Sequence, residues 1–300
     1  MALFRRSKQD EPEVDVDALV GAAIAERGAT PTQVEPGVFV FDRDGTQHTI
    51  TTATFAARYA GAPSREMPAA ARAFVASVWP RNAAESAETL DDVRQQILPR
   101  VMPLEVGDPS MSARMLEAGY ALSSDMVILG AIDRPESVQT VTDLSPYGGW
   151  EAVWPVAIAN LKQLPLPATC YRAAASEAAP VFVFEDEDFF VATRVLVLDI
   201  LLGAVGAPAP HGVLVAMPSR HRLAVHPVVD AAGIEAAWQS LARIASANEQ
   251  ANGPHVSYAV HYVAPGGAVE PASRVTEDQF LKFSPGDRLS QTLTDLSTAG

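Results

Sequence analysis

The sequence predicts an α+β fold in which repeated helix–β-hairpin–helix units form antiparallel sheet covered by helices. Three observations carry the prediction. Alternating apolar residues lead into three tight turns: Val38 and Val40, Val127 and Leu129, Val213 and Val215. Each turn carries an arginine, in Asp42-Arg43, Asp133-Arg134 and Ser219-Arg220. Segments with apolar residues at helical spacing flank each hairpin, and the last two hairpins are followed by helices with a tryptophan near the start, Trp154 and Trp238. Period-two alternation buries one face of a strand, and helical spacing buries one stripe of a helix. Each unit would then bury one hairpin face under its helices. The hairpins would join into a shared sheet with a face or edge left for a partner.

Taken in order, residues 1–13 are charged and polar and are expected to be disordered. Val16, Leu19, Val20, Ala23 and Ile24 predict a helix over 15–27, stopped by Gly28. The first hairpin follows, turning at Asp44-Gly45, the dipeptide that favours a primed turn. Short helices are predicted over 53–59 and 68–79, then a connector over 80–90. A helix over 90–98 should stop before Pro99, with extended chain over 99–111 and a helical turn over 112–118. The second hairpin turns at 133–136, and a helix spans 150–164. Proline- and alanine-rich residues 165–180 read as a domain boundary. A strand over 181–184 and an apolar helix over 189–203 precede the third hairpin. A helix over 234–247 and a strand over 256–263 complete the order. Four regions result: a disordered N-terminus (1–13), an N-terminal α+β region with two units (14–164), a C-terminal region with the third (165–283), and a flexible tail (284–300).

The 300 residues are 48% hydrophobic and 19% charged, a globular composition able to bury a core. The formal charge is −14. A field of that sign repels phosphate backbones and anionic lipid heads, so neither nucleic acid nor a membrane is an expected partner. A single cysteine, Cys170, excludes an internal disulfide framework and a cysteine-based zinc cage. No apolar stretch of signal-peptide length follows the N-terminus, and cytoplasm is the expected compartment. Abundant alanine and the preference for arginine over lysine fit a GC-rich bacterial genome.

Residues from about 97 to 226 resemble the YtpQ-like bacterial family of unknown function. The resemblance is carried by Ile97-Leu-Pro, by Ala131-Ile-Asp-Arg-Pro-Glu-Ser-Val and by Ala157-Ile-Ala-Asn-Leu. It continues in Ala192-Thr-Arg-Val-Leu and in Gly212-Val-Leu-Val-Ala-Met-Pro-Ser-Arg-His-Arg-Leu. In that family an aspartate usually follows the last proline, small polar residue and arginine. Here His221 takes its place, which weakens any role for that acid. The resemblance implies architecture and no established activity.

Arg194 and Asp199 interrupt the most apolar stretch, Phe189 to Val205. A charge on a buried face is costly unless paired. Spacing of i,i+5 is poor for pairing with each other, since i,i+3 and i,i+4 are the helical neighbours. Partners from elsewhere are therefore expected, with Arg220 the candidate for Asp199. Arg194, Asp199, Arg220 and His221 make the candidate ligand-binding neighbourhood, arginine being suited to carboxylate or phosphate. A structural ion pair at an element junction is the alternative reading.

The remaining polar features read as structural. His211, His221, His226, His255 and His261 lack metal-ligand spacing. Glu185 to Asp188 reads as a helix N-terminal cap. Asn160 reads as a cap or bridge, and Cys170 as a buried or inert thiol. Tyr147-Gly-Gly-Trp lacks the glycine pattern and lysine of a phosphate loop. No catalytic motif, metal or cofactor is indicated. The leading functional expectation is a cytoplasmic, non-enzymatic protein-interaction module, chaperone-like or regulatory, binding a protein partner through a sheet face or hairpin edge. The alternative is a small-molecule or anion-binding protein or enzyme using Arg194, Asp199, Arg220 and His221. A structural subunit is a third reading, and homo-oligomerisation is left open.

Overall fold

Asp15 opens the first helix, α1 (Val16–Ala25), by accepting the Ala18 amide at 2.9 Å. In the computed structural model the described residues are 14–43, 46–52, 55–56, 59, 62–79, 88–104, 109–134, 137–173, 179–246, 255–276 and 281–299. The expectations for 1–13, for the Asp44-Gly45 turn, and for most of 53–59 and of the 80–90 connector lie outside them. The protein is α+β, with helices and antiparallel sheets. It divides into two compact units, Met1–Ala87 with Pro135–Ser137, and Glu88–Arg134 with Val138–Gly300.

In the first unit, β1 (Thr32–Glu35), β2 (Val38–Arg43) and β3 (Thr46–Thr51) form an antiparallel sheet in that order. β1 was not predicted, because Thr-Gln-Val-Glu has little apolar alternation. Helix α2 (Met67–Val78) packs with α1 over the sheet, closing a core of Val20, Ile24, Phe39, Phe41, Phe55 and Phe74. Asp17 locks the unit: its carboxylate accepts Gln33 Nε2 at 2.7 Å, the Gly37 amide at 2.9 Å and the Thr52 hydroxyl at 2.7 Å. Gly37 turns with φ +79°, a conformation that favours glycine.

The second unit opens with one helical turn, α3 (Leu90–Val93), then β4 (Ile97–Pro103). The helix predicted over 90–98 therefore ends early. All seven residues from Ile97 to Pro103 pair with β6 (Met126–Arg134), Ile97 opposite Ile132 and Pro103 opposite Met126. β4 lies at an edge of its sheet, where Pro99 and Pro103 cost no ladder bond on the open side. Helix α4 (Pro109–Ala118) starts earlier than predicted. β5 (Tyr120–Ala121) and β7 (Ser137–Val141) both pair with β6. Helix α5 (Gly149–Gln163) follows as predicted and runs through Pro155, which lies on its exposed face.

The larger sheet contains β8 (Thr169–Ala173), β9 (Val181–Glu185), β10 (Val213–Ser219), β11 (Arg222–Pro227), β12 (Val260–Val263) and β13 (Val269–Pro271). Its order is β13-β12-β10-β11-β9-β8, antiparallel throughout. Alternation sorts its side chains cleanly. Phe184, Val213, Val215, Met217, Leu223 and Val225 face one core, shared with Val101, Met126 and Ile128 of the smaller sheet. Val181, Val183, Leu214, Ala216, Val260 and Tyr262 face a second core under α7 (Ile234–Ser246), which contributes Trp238 and Leu241. Each such fully buried side chain contributes roughly 1.5–3 kcal/mol relative to exposure.

Four expectations are corrected. Among the described residues the three hairpins belong to separate sheets of three, four and six strands, not to one shared sheet. The division of the chain falls between Ala87 and Glu88 rather than over 165–180, where among the described residues β8 pairs along its whole length with β9. The apolar stretch over 189–203 is a 3-10 helix (Ala192–Val197) leading into a short α6 (Leu198–Ala204). The tail is not loose. β14 (Ser273–Val275) pairs with β15 (Leu281–Phe283), and α8 (Asp287–Ala299) buries Leu289 completely. The Glu270 carboxylate caps α8, accepting the Leu289 amide at 2.8 Å and the Arg288 amide at 3.2 Å.

Candidate anion-binding site

The acidic run folds as a turn that organises the start of the 3-10 helix. Asp186 accepts the Ala168 amide at 2.7 Å and the Asp188 amide at 3.2 Å. Asp188 accepts the Phe190 amide at 3.0 Å with Oδ1, and its Oδ2 receives Arg194 Nη2 at 2.9 Å. The same Arg194 nitrogen donates to the Pro165 carbonyl at 2.7 Å. With its side chain only 3% exposed, Arg194 is committed to holding the turn and the approach to β8, and offers no ligand a charge.

Asp199 lies apart from this cluster. It is exposed in the first turn of α6, at the rim of an apolar cleft of about 760 Å³ lined by Leu196, Leu202, Val213 and Val263. The expected Asp199–Arg220 pair does not form. Asp188 occupies Arg194, and Arg220 is directed elsewhere.

Arg220 and His221 form the turn of the β10–β11 hairpin, after a register shift between Ala216 and Ser219. The Arg220 carbonyl accepts the Ala192 amide at 3.1 Å. From the smaller sheet, the Val101 amide donates to the Thr193 hydroxyl at 3.1 Å. The segment after Phe189 thus holds both the hairpin turn and β4, and it brings Arg220 and Arg100 to one aromatic ring. The Arg220 guanidinium carbon lies 4.2 Å from the Phe189 ring centre, and that of Arg100 lies 4.4 Å away. Arg220 Nε donates to His221 Nε2 at 2.8 Å, and His221 Nδ1 meets the Asp188 carbonyl at 3.1 Å. Accepting at Nε2 requires the proton on Nδ1, so His221 here is the neutral Nδ1–H tautomer. Arg100 Nη1 donates to the Thr140 hydroxyl.

The electrostatics are lopsided. Burial, with the Arg220 charge adding to it, lowers Arg100 to about 10. Burial also lowers Arg220. Burial and then the Arg220 charge lower His221, outweighing the Asp188 carbonyl and charge. Among the described residues neither Arg100 nor Arg220 forms an ion pair. Two half-buried guanidiniums on one ring, without a carboxylate, are suited to hold an anion.

The structure thus brings together two of the four sequence-predicted residues, Arg220 and His221, and separates Arg194 and Asp199 from them. Sequence reasoning missed Arg100 and Phe189. The available signal was a lone arginine among apolar residues in Ile97-Leu-Pro-Arg-Val-Met.

The other candidates have structural partners. His261, fully buried, places Nε2 2.9 Å from Asp125 Oδ1. Ser123 and Ser257 donate to that same carboxylate at 2.6 and 2.7 Å. Both hydroxyls address the acid and not the imidazole, which is not the wiring of a nucleophile triad. Asn160 Nδ2 bridges the Arg94 and Ile97 carbonyls at 2.7 and 2.8 Å. Of the two expected readings, buried or inert, the first does not hold: Cys170 is exposed on β8, and desolvation pushes its thiol up, away from a reactive thiolate. Among the described residues no three His, Cys, Asp or Glu side chains converge as metal ligands, and no helix is long and apolar enough to cross a membrane. No family model, curated protein or solved structure matches the chain.

Proposed function

We propose that the protein is a cytoplasmic, non-enzymatic binding protein whose second unit takes up an anionic group at Arg100, Arg220 and Phe189. The observation that carries this reading is the sharing of one aromatic ring by two guanidiniums, neither of which pairs with an acid among the described residues. Two like charges no farther apart than these ring distances allow repel by at least about 2 kcal/mol at an effective dielectric near 20, and an anion bonded by both offsets that cost. The overall charge of −14 opposes anions at long range. Screening over about 8 Å at physiological salt leaves the local pair dominant. The test is thermal unfolding with inorganic phosphate at constant ionic strength. The melting temperature of the wild type should rise with phosphate, and those of Arg100→Met and Arg220→Met should not. Equal rises in all three proteins would refute the reading.

A specific observation also favours the protein-interaction reading. β8 is the outer strand of the six-stranded sheet, and Thr169, Cys170, Tyr171 and Arg172 are all exposed. An extended cationic segment of a partner would add there as a further strand, drawn by Glu185, Glu187 and the net acidity of the chain. A Val-Lys repeat peptide should slow amide exchange along Thr169–Ala173, and unchanged exchange would count against it.

A further inference from the structure

This inference rests on the anion-binding reading above and specifies the ligand's charge. We infer that the group held by Arg100, Phe189 and Arg220 is a dianion, a phosphate monoester or a compact dicarboxylate, and not a monocarboxylate.

A guanidinium carries five N–H donors in a planar fork. Arg220 spends Nε on His221, so among the described residues neither of its terminal nitrogens has a protein partner. Arg100 spends Nη1 on Thr140, leaving Nε and Nη2. None of these four nitrogens is among the buried polar atoms sealed from solvent, unlike Arg194 Nε. The cluster therefore presents two partly open forks, each suited to paired acceptor oxygens. The two guanidinium carbons are separated by no more than the sum of their 4.2 and 4.4 Å distances to the ring centre.

The count of charge follows. His221 accepts a hydrogen bond through Nε2, so it enters the cluster as a neutral orienting group and not as a third cation. The nearby acids do not neutralise the arginines. Asp188 is engaged by Arg194. Among the described residues Asp133 forms no ion pair, and burial together with the Asp188 charge pushes its carboxyl up. Among the described residues the site thus carries two uncompensated positive charges. A monocarboxylate would cancel one and leave the other half-buried, whereas a dianion cancels both. Phe189 offers both guanidiniums a cation–π contact.

The test is calorimetric titration of the full chain at pH 8 and constant ionic strength with inorganic phosphate, malonate and acetate. Phosphate, malonate or both should bind at least tenfold tighter than acetate, and whichever does so identifies the oxygen geometry. Arg100→Met and Arg220→Met should each bring that preference to within about threefold, and either variant suffices if the other fails to fold. Acetate binding as tightly as both dianions in the wild type would overturn the dianion inference and leave the anion reading standing. No binding of any of the three would overturn both. A preference retained in the folded variants would place the dianion elsewhere and overturn the assignment.

Discussion

His221 accepts the Nε–H of Arg220 across 2.8 Å while its own Nδ1–H points to the Asp188 carbonyl at 3.1 Å. The imidazole therefore fixes the arginine's orientation only in its neutral form. Its folded pKa lies below the ordinary 6.5, held down by burial and by Arg220. The neutral form is thus favoured in the fold. Its contribution to stability is complete above pH 6.5 and is lost as pH falls below it. His226 and His255, also lowered by burial, act in the same direction. The wild-type melting temperature should fall between pH 7 and 5, and His221→Gln should flatten the slope without abolishing it. A parallel slope in the variant would remove His221 from this role.

Arg194 is read as structural and not as a ligand group. Its fork holds Asp188 and the Pro165 carbonyl from a position 2% exposed. Arg194→Met leaves those acceptors unsatisfied, and about 2–4 kcal/mol of stability should be lost, less than for a fully buried pair because Asp188 reaches solvent. Urea unfolding measures it, and an unchanged midpoint would refute the assignment.

Asp125 supplies the acid-sensitive joint between the start of β6 and β12. Burial alone would raise its carboxyl. The hydrogen bond and charge of His261, with the hydroxyls of Ser123 and Ser257, override burial and hold it well below the ordinary 3.8. A depressed carboxylate contributes stability that is present above pH 3.8 and is lost as pH falls below it. Asp125→Asn should destabilise the protein at pH 7 and make the acid transition below pH 4 shallower. An acid limb as steep as the wild type's would place the sensitivity elsewhere.

Glu270 tests the C-terminal helix. Two α8 amides end on its carboxylate, so Glu270→Ala should cost about 1–2 kcal/mol through the lost cap. It should also speed amide exchange through Leu289 to Leu293, measurable by mass spectrometry. Exchange already fast in the wild type would restore the picture of a loose tail.

These residues also mark what was legible in the sequence. The hairpins were legible, because alternation in Val213 to Val215 and Val127 to Leu129 is a local pattern that the sheets preserve. Helix α8 was legible in part: Leu289, Leu293 and Leu296 keep helical spacing, but serine and threonine between them resemble tail composition. Its cap was not, since Glu270 comes from β13. The arginine site was only half legible. Arg220 and His221 share a turn, but Arg100 reaches Phe189 through the β4–β6 register and the Val101–Thr193 bond, neither of which is written locally. Arg194 misled for the same reason, because a charge in an apolar run looks alike whether its partner is a ligand or Asp188.

The most direct measurement of the central claim is a high-resolution crystal structure grown with a phosphate monoester. It should show the anion's oxygens at about 2.7–3.2 Å from terminal nitrogens of Arg100 and Arg220, with both guanidiniums still on Phe189. Ordered water alone at that position, or either arginine turned to an acidic side chain, would contradict the account.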